Sequence, residues 1–410
     1  MNRQHRLYKD IYTKQNLDRS WKLVKANKGS HGIDRKTIED TEKDWPTISS
    51  SLQRRLKNHT YAPQPVRRVY IPKPNGKKRP IGIPTVQDRI IQQAIRCVIE
   101  PSIDETFEEC SYGFRPGKSA HQALQSVYKA LTEEKLRWII QIDLGSFFDT
   151  IPHELIIEKL QEHNVDAEVI RLVKGFLGVG VMEDGITRYS TTGTPQGGII
   201  SPLLANLVLD EVDTYVISHG HERMVRYADD FVICAKTRRR AVHVYKEVVA
   251  VLIKLGLVVN EEKSSVVHLS ETFTFLGYTF GGGRYYEGEG GRKIASIWKR
   301  PSTKAINALK DNMRFLTRRQ QPRNILMLAP RINATVRGWF NYFHAGRNKS
   351  RYADLDSWIR MRLRSFIHKK KSYLDNAQYP NSFFKESGYV FLSDMLMSYK
   401  PKPVQGILRF

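Results

Sequence analysis

Met224-Val225-Arg226-Tyr227-Ala228-Asp229-Asp230-Phe231-Val232-Ile233-Cys234-Ala235 is the stretch on which the reading of this 410-residue chain turns. Two apolar-rich runs flank a pair of adjacent acids, the pattern of a β-hairpin joined at Asp229-Asp230. Upstream, Trp138-Ile139-Ile140-Gln141-Ile142-Asp143-Leu144 reads as a buried strand that ends in an acid. Aspartate is an ordinary turn residue and strand cap, so neither stretch alone demands chemistry. Asp149, shortly before Ile151-Pro152-His153, is a rival acid that reads as a cap at the start of a helix.

Together the two stretches offer carboxylates on rigid strand ends. Phosphoryl transfer onto a 3′-hydroxyl needs such acids, because two divalent ions about 3.5–4 Å apart can activate the hydroxyl and neutralise the pyrophosphate. Magnesium takes a few carboxylates, substrate oxygens and water. Adjacent carboxylates repel, and bound cations relieve that repulsion.

Outward from these acids, residues 5–28 are predicted helical, with Leu17, Trp21 and Val24 on one face and Gly29 to Gly32 closing the helix. A second helix is predicted over Thr41 to Lys57. Val69-Tyr70-Ile71 and Pro80-Ile81-Gly82-Ile83-Pro84 flank Asn75-Gly76, a hairpin signal. Gln87 to Glu100 has a helical period. Ser201-Pro202 starts a helix through Leu203, Leu207 and Val212, with Ser201 as its cap. Val242 to Leu255 is an apolar helix. Phe273 to Phe280 reads as a strand, and Gly281-Gly282-Gly283 as a break or hinge. Three amphipathic helices follow: Ile306, Leu309, Met313 and Leu316; Ile325 to Phe343; Leu355, Ile359, Leu363 and Phe366. From Asn376 to Phe410 the periodicity weakens.

The charge balance points to a polyanionic partner. There are 66 Lys and Arg against 42 Asp and Glu, a net +24. Each phosphate that a cation neutralises releases a counterion, which drives binding to nucleic acid. From Arg284 to Asp375 the sequence holds 22 basic against 6 acidic residues, so a surplus of 16 sits in under a quarter of the chain. A merely solvated surface gives no reason for that concentration. Cys97, Cys110 and Cys234 are far apart, which excludes a CxxC zinc site and fits a reducing compartment. No apolar run is long enough to span a membrane. The start, Met-Asn-Arg-Gln-His, has no signal-peptide core, and Asp10 and Asp18 speak against a transit peptide, so a cytoplasmic protein is expected.

Ordered motifs then narrow the reading. Tyr227-Ala228-Asp229-Asp230 between apolar strands resembles the metal-binding hairpin of reverse transcriptases. Asp143-Leu144-Gly145-Ser146-Phe147-Phe148-Asp149 resembles their other acid motif. Gly193-Thr194-Pro195-Gln196-Gly197-Gly198-Ile199-Ile200-Ser201-Pro202-Leu203-Leu204-Ala205-Asn206 resembles their nucleotide-pocket loop and following helix. Tyr112-Gly113-Phe114-Arg115-Pro116-Gly117, Ile71-Pro72-Lys73-Pro74 with Arg79-Pro80-Ile81-Gly82-Ile83-Pro84, and Gly338-Trp339-Phe340-Asn341-Tyr342-Phe343 look like bacterial group II intron proteins of the form without an endonuclease. The resemblance extends to about Lys371.

That resemblance implies an α+β, right-hand polymerase: fingers and palm with antiparallel sheet, then an α-helical thumb or maturase X domain. The expected divisions are 1–64, a helical extension; 65–283, fingers and palm; 284–375, thumb and X domain; and 376–410, a short C-terminal segment. Carried over by position, Asp143, Asp229 and Asp230 are catalytic acids that hold two magnesium ions, or manganese in their place, with help from the Leu144 carbonyl. Lys73 and Arg79 contact the triphosphate, Phe148 rejects a 2′-hydroxyl, and Gln196 touches the incoming nucleotide. Leu276-Gly277 resembles the primer grip, for which a strand with a glycine bulge is the plainer account. Lys263, in Asn260-Glu261-Glu262-Lys263, matches a motif proposed to protonate pyrophosphate, although surface lysines are common.

The implied function is an RNA-directed DNA polymerase working on an RNA template with a DNA primer and deoxynucleoside triphosphates. Group II intron RNA binding and help in splicing are expected with it. Arg360, Arg362 and Arg364 are the expected RNA-contacting cluster. A reverse transcriptase of an intron-free system is the alternative, and a non-catalytic splicing cofactor is disfavoured because all three acids are present. About 35 residues follow the helical bundle, with no cysteine and only His368 beyond Asp354, so no HNH-type endonuclease is expected.

Overall fold

Apolar runs on both sides of an acid-tipped turn, and 3.6-spaced apolar residues elsewhere, produce an α+β architecture. A computed structural model describes it over residues 4–72, 78–194, 197–220, 223–287, 293–318, 324–346, 349–369 and 376–399. The chain divides into two compact units, Met1–Val267 and His268–Phe410.

The first unit opens with α1 (Gln4–Ile11), α2 (Lys14–Ala26), α3 (Ile38–Lys43) and α4 (Trp45–Lys57). The helix expected over 5–28 is therefore two. Thr13 starts the second, its hydroxyl accepting from the Asn16 amide. Leu17, Trp21 and Val24 are buried as their spacing requires. The helix expected from Thr41 also divides, because Pro46 fits only a first turn and so begins α4. The hairpin β1 (Val66–Pro72) and β2 (Lys78–Ile83) forms as expected, while its Asn75-Gly76 turn lies outside the described residues. Next comes α5 (Val86–Asp104), whose Ile90, Ile91, Ala94, Ile95 and Ile99 are wholly buried and form the middle of the core.

The chain continues through α6 (Ala120–Thr132), β3 (Trp138–Ile142), α7 (Phe147–Thr150), α8 (His153–Glu162), α9 (Ala167–Gly178), β4 (Val181–Glu183) and β5 (Ile186–Arg188). It then forms α10 (Ser201–Ser218), β6 (Arg223–Tyr227), β7 (Asp230–Ala235), α11 (Arg238–Lys254) and β8 (Ser265–His268). Ile200, not Ser201, is the cap of α10, and Ser201-Pro202 fill its first turn. One sheet has the order β2-β1-β4-β5 and includes a parallel pair, Val66 opposite Val181, because β4 arrives after a long helical connection. The other, β6-β7-β3-β8, places Ile142 opposite Phe231 and Tyr227 opposite Asp230 in antiparallel ladders. Its Ile139, Ile140, Val232 and Ile233 are fully buried, and α6, α10 and α11 pack on it.

The second unit holds β9 (Phe273–Phe275), β10 (Tyr278–Glu287) and β11 (Lys293–Pro301) in one sheet. The strand expected over 273–280 is a hairpin, because Leu276 and Gly277 both take positive φ, 47° and 76°, as a two-residue primed turn demands. The expected break at Gly281-Gly282-Gly283 is not one. The strand β10 runs through the glycines with a register shift between Gly281 and Arg284, and a side chain at 281 would collide with the Trp298 ring. Strands on both sides of the glycines share one sheet.

The three basic helices form as predicted: α12 (Thr303–Leu316), α13 (Ile325–Phe343) and α14 (Lys349–Ile367). Met313, Ile332, Val336, Ile359 and Leu363 lie in their shared core. Two short helices, α15 (Asn381–Glu386) and α16 (Leu392–Ser398), complete it with Phe384, Tyr389, Phe391 and Leu392. Buried polar groups fix this segment: Asp356 accepts from the Leu392 and Ser393 amides at 2.8 Å each, and Asn333 bonds Gly388 O and Val390 N. Among the described residues no helix is long and apolar enough to cross a membrane.

Candidate active site

Strand register brings the acids together. Asp143 follows directly on Ile142, which faces Phe231, so it lies beside the tip of the β6–β7 hairpin. That tip is Ala228-Asp229, since Asp230 already pairs with Tyr227 and opens β7. Ala228 takes a left-handed φ of 57°, a conformation that non-glycine residues adopt at a cost. Burial raises the Asp229 pKa above the usual range; its own backbone amide lowers it, the Asp143 charge raises it again, and Arg79 and Arg226 lower it. Asp229 is half-buried, whereas Asp230 is exposed.

A loop clasps Asp143 from its other side. The Asn260 amide donates to Asp143 O at 2.8 Å, and the Asp143 amide donates to Ser264 Oγ at 3.1 Å. Lys263 Nζ reaches Asp143 Oδ2 at 3.2 Å. Leu144 is buried and bridges Val259. Two acids close enough to repel, with cations beside them, make a donor set that suits divalent ions. Among the described residues no three His, Cys, Asp or Glu side chains form a ready-made metal cluster. A magnesium site here would draw its remaining ligands from backbone carbonyl, substrate oxygens and water, as that ion commonly does.

The nucleotide pocket is described in part. Arg79, on β2, is exposed and lies within electrostatic reach of Asp229. Phe147 is the buried aromatic of α7; Phe148 is half-buried and meets it edge-on, ring centroids 5.4 Å apart. The Phe148 carbonyl accepts from the Thr194 amide at 2.7 Å, tying the pocket loop to α7. Gly197 lies so close to Gly82 O that no side chain would fit, which joins the same loop to β2. Lys73 and Gln196 lie outside the described residues.

Behind the hairpin sits a cluster that the motifs did not reveal. Arg226 is fully buried and pairs with Asp213, and Asn206 links it to Gly113. The available signal was a cation flanked by apolar residues in the buried part of the strand. Asp210, one turn from Asp213, is pushed up to about 6 by burial and then by the Asp213 charge. In the unfolded chain it ionises near 3.8, so the folded state keeps the proton longer and stability falls as pH rises from about 4 to about 6. Asp210→Asn fixes the neutral form. It should flatten that fall and raise Tm at pH 7 by about 2–4 °C; an unchanged profile of Tm against pH from 4 to 7 would show that Asp210 folds as the anion.

In the second unit, the Leu276-Gly277 turn is held by the Gly338–Phe343 motif. Tyr342 Oη donates to Leu276 O at 3.0 Å, and Phe343 packs against Gly277. The arginine cluster is not the free face its alternation with Met361 and Leu363 allowed. Arg364 is 4% exposed, donates to Tyr379 O and Asn381 Oδ1, and lies over Phe384. Its guanidinium fastens the C-terminal segment, so the expectation that it meets RNA is corrected. Arg362 donates to Thr317 O and Oγ1 at the end of α12, and Arg360 lies over Phe391. Arg331 and Arg337 on α13 are exposed, and Trp358 carries Lys310 and Arg314 over its ring.

Comparison with known proteins agrees with this arrangement. Residues 71–280 match the family Reverse transcriptase (RNA-dependent DNA polymerase), and residues 306–376 match the Group II intron, maturase-specific domain. Protein YkfC of Escherichia coli K12 is 33% identical over 312 residues, 67% of this chain and 82% of its own length. The group II intron-encoded protein LtrA of Lactococcus lactis subsp. cremoris is 34% identical over 288 residues, 54% of this chain and 48% of LtrA. This chain thus spans about half of LtrA. Nuclear intron maturase 2 of Arabidopsis thaliana is 26% identical over 170 residues, 32% of this chain and 23% of its own length. The acid-tipped palm hairpin, the α+β right-hand architecture around it and the match over 71–280 have one meaning: the chain belongs to the reverse transcriptases, and it carries a group II intron maturase-specific domain behind the polymerase module.

Proposed function

We propose that the protein extends a DNA primer on an RNA template with two magnesium ions, and that it binds group II intron RNA to assist splicing. The observation that carries the first part is the register of β3 against β7, which sets Asp143 beside Asp229. When bound, the ions activate the primer 3′-hydroxyl and neutralise the departing pyrophosphate. Asp143, Asp229 and Asp230 would hold them, the first two most directly, together with the Leu144 carbonyl. Arg79 and Lys73 face the triphosphate, Gln196 touches the nucleotide, and Phe148 closes the floor under the sugar. Leu276 and Gly277 grip the primer strand.

The intron reading is supported by the match over 306–376 and by the basic surplus there. With Arg364 committed to the bundle, Arg331 and Arg337 are the better candidates for binding phosphates. Replacing both with Gln should flatten the slope of log K against log salt for a structured intron RNA by up to about 2, roughly 1 for each phosphate no longer neutralised. Extension on a short preannealed duplex should stay near wild type. Arg364→Gln should instead lower Tm. An unchanged salt slope in the α13 variant would move the protein toward the intron-free reverse transcriptases; sequencing the RNA that copurifies with it decides between the two.

A further inference from the structure

We propose that Arg226 is the positioning residue of the catalytic hairpin, its buried guanidinium fixing the Ala228 carbonyl and with it the peptide that carries Asp229. This rests on the reading of Asp143 and Asp229 as the metal-holding pair.

Arg226 sits on β6 between apolar neighbours and is 0% exposed. A buried guanidinium is costly unless its donors are met. Here Nε donates to Asp213 Oδ1 and Oδ2 at 2.8 and 2.9 Å, and Nη2 donates to Oδ2 at 2.5 Å. Nη1 donates to Asn206 Oδ1 at 2.8 Å and to Ala228 O at 3.1 Å. Apolar side chains of similar volume in place of both Arg226 and Asp213 would often fill such a space at no loss of stability. What they cannot supply is the bond to Ala228 O. That carbonyl belongs to the one residue of the tip with a left-handed backbone, and the next residue is Asp229. A strained turn persists where its surroundings over-determine it. Arg226 does so here.

The same side chain gathers three segments whose sequence motifs are separate. Asn206 and Asp213 are two turns apart on α10 and so share a face. Asn206 Nδ2 donates to Gly113 O at 2.7 Å. Gly113 lies against the Tyr227–Ala228 peptide with no space for a Cβ. The Arg226 amide donates to Cys110 O at 2.8 Å, and Arg226 O accepts from the Tyr112 amide at 2.9 Å. The hairpin tip is thus clamped between α10 and the 110–113 segment: Asn206 and the Arg226 backbone carry the hold on to 110–113, while the planar fork of arginine reaches Asp213, Asn206 and the Ala228 carbonyl at once. Lysine, a single point charge, cannot.

The test uses the full chain and three variants. Arg226→Lys keeps the charge and loses the fork. Arg226→Met with Asp213→Leu removes the pair without stranding a buried charge. Asn206→Ala takes from Nη1 the acceptor that steadies it beside Ala228 O and leaves the ion pair. Each is measured for Tm, for kcat and KM in single-nucleotide extension on a preannealed primer–template, and for Mn2+ affinity by electron paramagnetic resonance. Supporting groups behind metal ligands are typically worth about 10–100-fold in metal affinity or activity. Arg226→Lys and the double variant should lose kcat and Mn2+ affinity by that order, with KM for primer–template nearly unchanged. Asn206→Ala should lose less in the same direction, which keeps the proposal testable if the double variant does not fold. Folded variants with wild-type kcat and Mn2+ affinity would overturn it, leaving Arg226 a packing residue. Asp229→Asn, run beside them, separates the two levels: if it too keeps wild-type Mn2+ affinity and extension, the metal site itself is misassigned and the proposal falls with it.

Discussion

Asp229→Ala and Asp143→Ala should each abolish magnesium-dependent extension of a DNA primer on an RNA template. Each removes one of the two acids that the β3–β7 register sets side by side. A divalent ion supplies several kcal/mol of charge stabilisation in the transition state, so the loss should be on the order of 10³-fold or more. The loss should be selective. Asp143 is partly exposed, Asp229 lies at a turn, and neither belongs to the apolar core. The basic surface of the second unit is untouched. Tm and affinity for RNA should therefore remain close to wild type in the same preparation. Full extension by a folded Asp229→Ala protein would refute the assignment.

The second large effect is expected in the choice of sugar. Phe147 and Phe148 are adjacent, but only Phe147 is committed to the interior, at 2% exposed. Phe148 is half-buried, and its carbonyl anchors the loop that runs on to Gln196. Phe148→Val shortens the side chain and leaves that backbone bond in place. If the ring rejects a 2′-hydroxyl by size, kcat/KM for ribonucleotides relative to deoxyribonucleotides should rise by about 10–100-fold, the usual range for steric discrimination in a pocket. An unchanged ratio with activity retained would mean that Phe148 only packs against Phe147.

Local signals in the sequence carried much of this architecture. The Asp-tipped hairpin and the strand leading to Asp143 follow from short apolar runs, the three basic helices from 3.6 spacing, and all form. The misreadings share a physical cause: they depend on what lies far away in sequence. Leu276 gives no hint of a left-handed turn, because a partner 66 residues on, Tyr342, accepts part of the task of holding it. The glycines at 281–283 look like a hinge until the Trp298 ring is placed over Gly281. Arg364 alternates with apolar residues as a surface cation would, yet its partners, Tyr379 and Asn381, sit in a segment with too weak a period to be read as part of the bundle. Arg226 stood inside the diagnostic motif, but its meaning depended on Asp213 and Asn206 in a different motif.

The position of α15 and α16 also sets an order of events during synthesis. The polymerase unit has all of its residues once Val267 has been made, and domains of this kind fold as units from the N-terminus while the rest of the chain is still being added. The second unit cannot close in step with its own three long helices. Its core lacks Phe384, Tyr389, Phe391 and Leu392 until they emerge, and the buried carboxylate of Asp356 has no amide partners before then. A chain at that stage carries a completed first unit tethered to a basic, half-built bundle with its apolar interior open to water. A ribosome stalled between Ile367 and Leu392 would hold the protein in that state, when it is most exposed to proteases and chaperones.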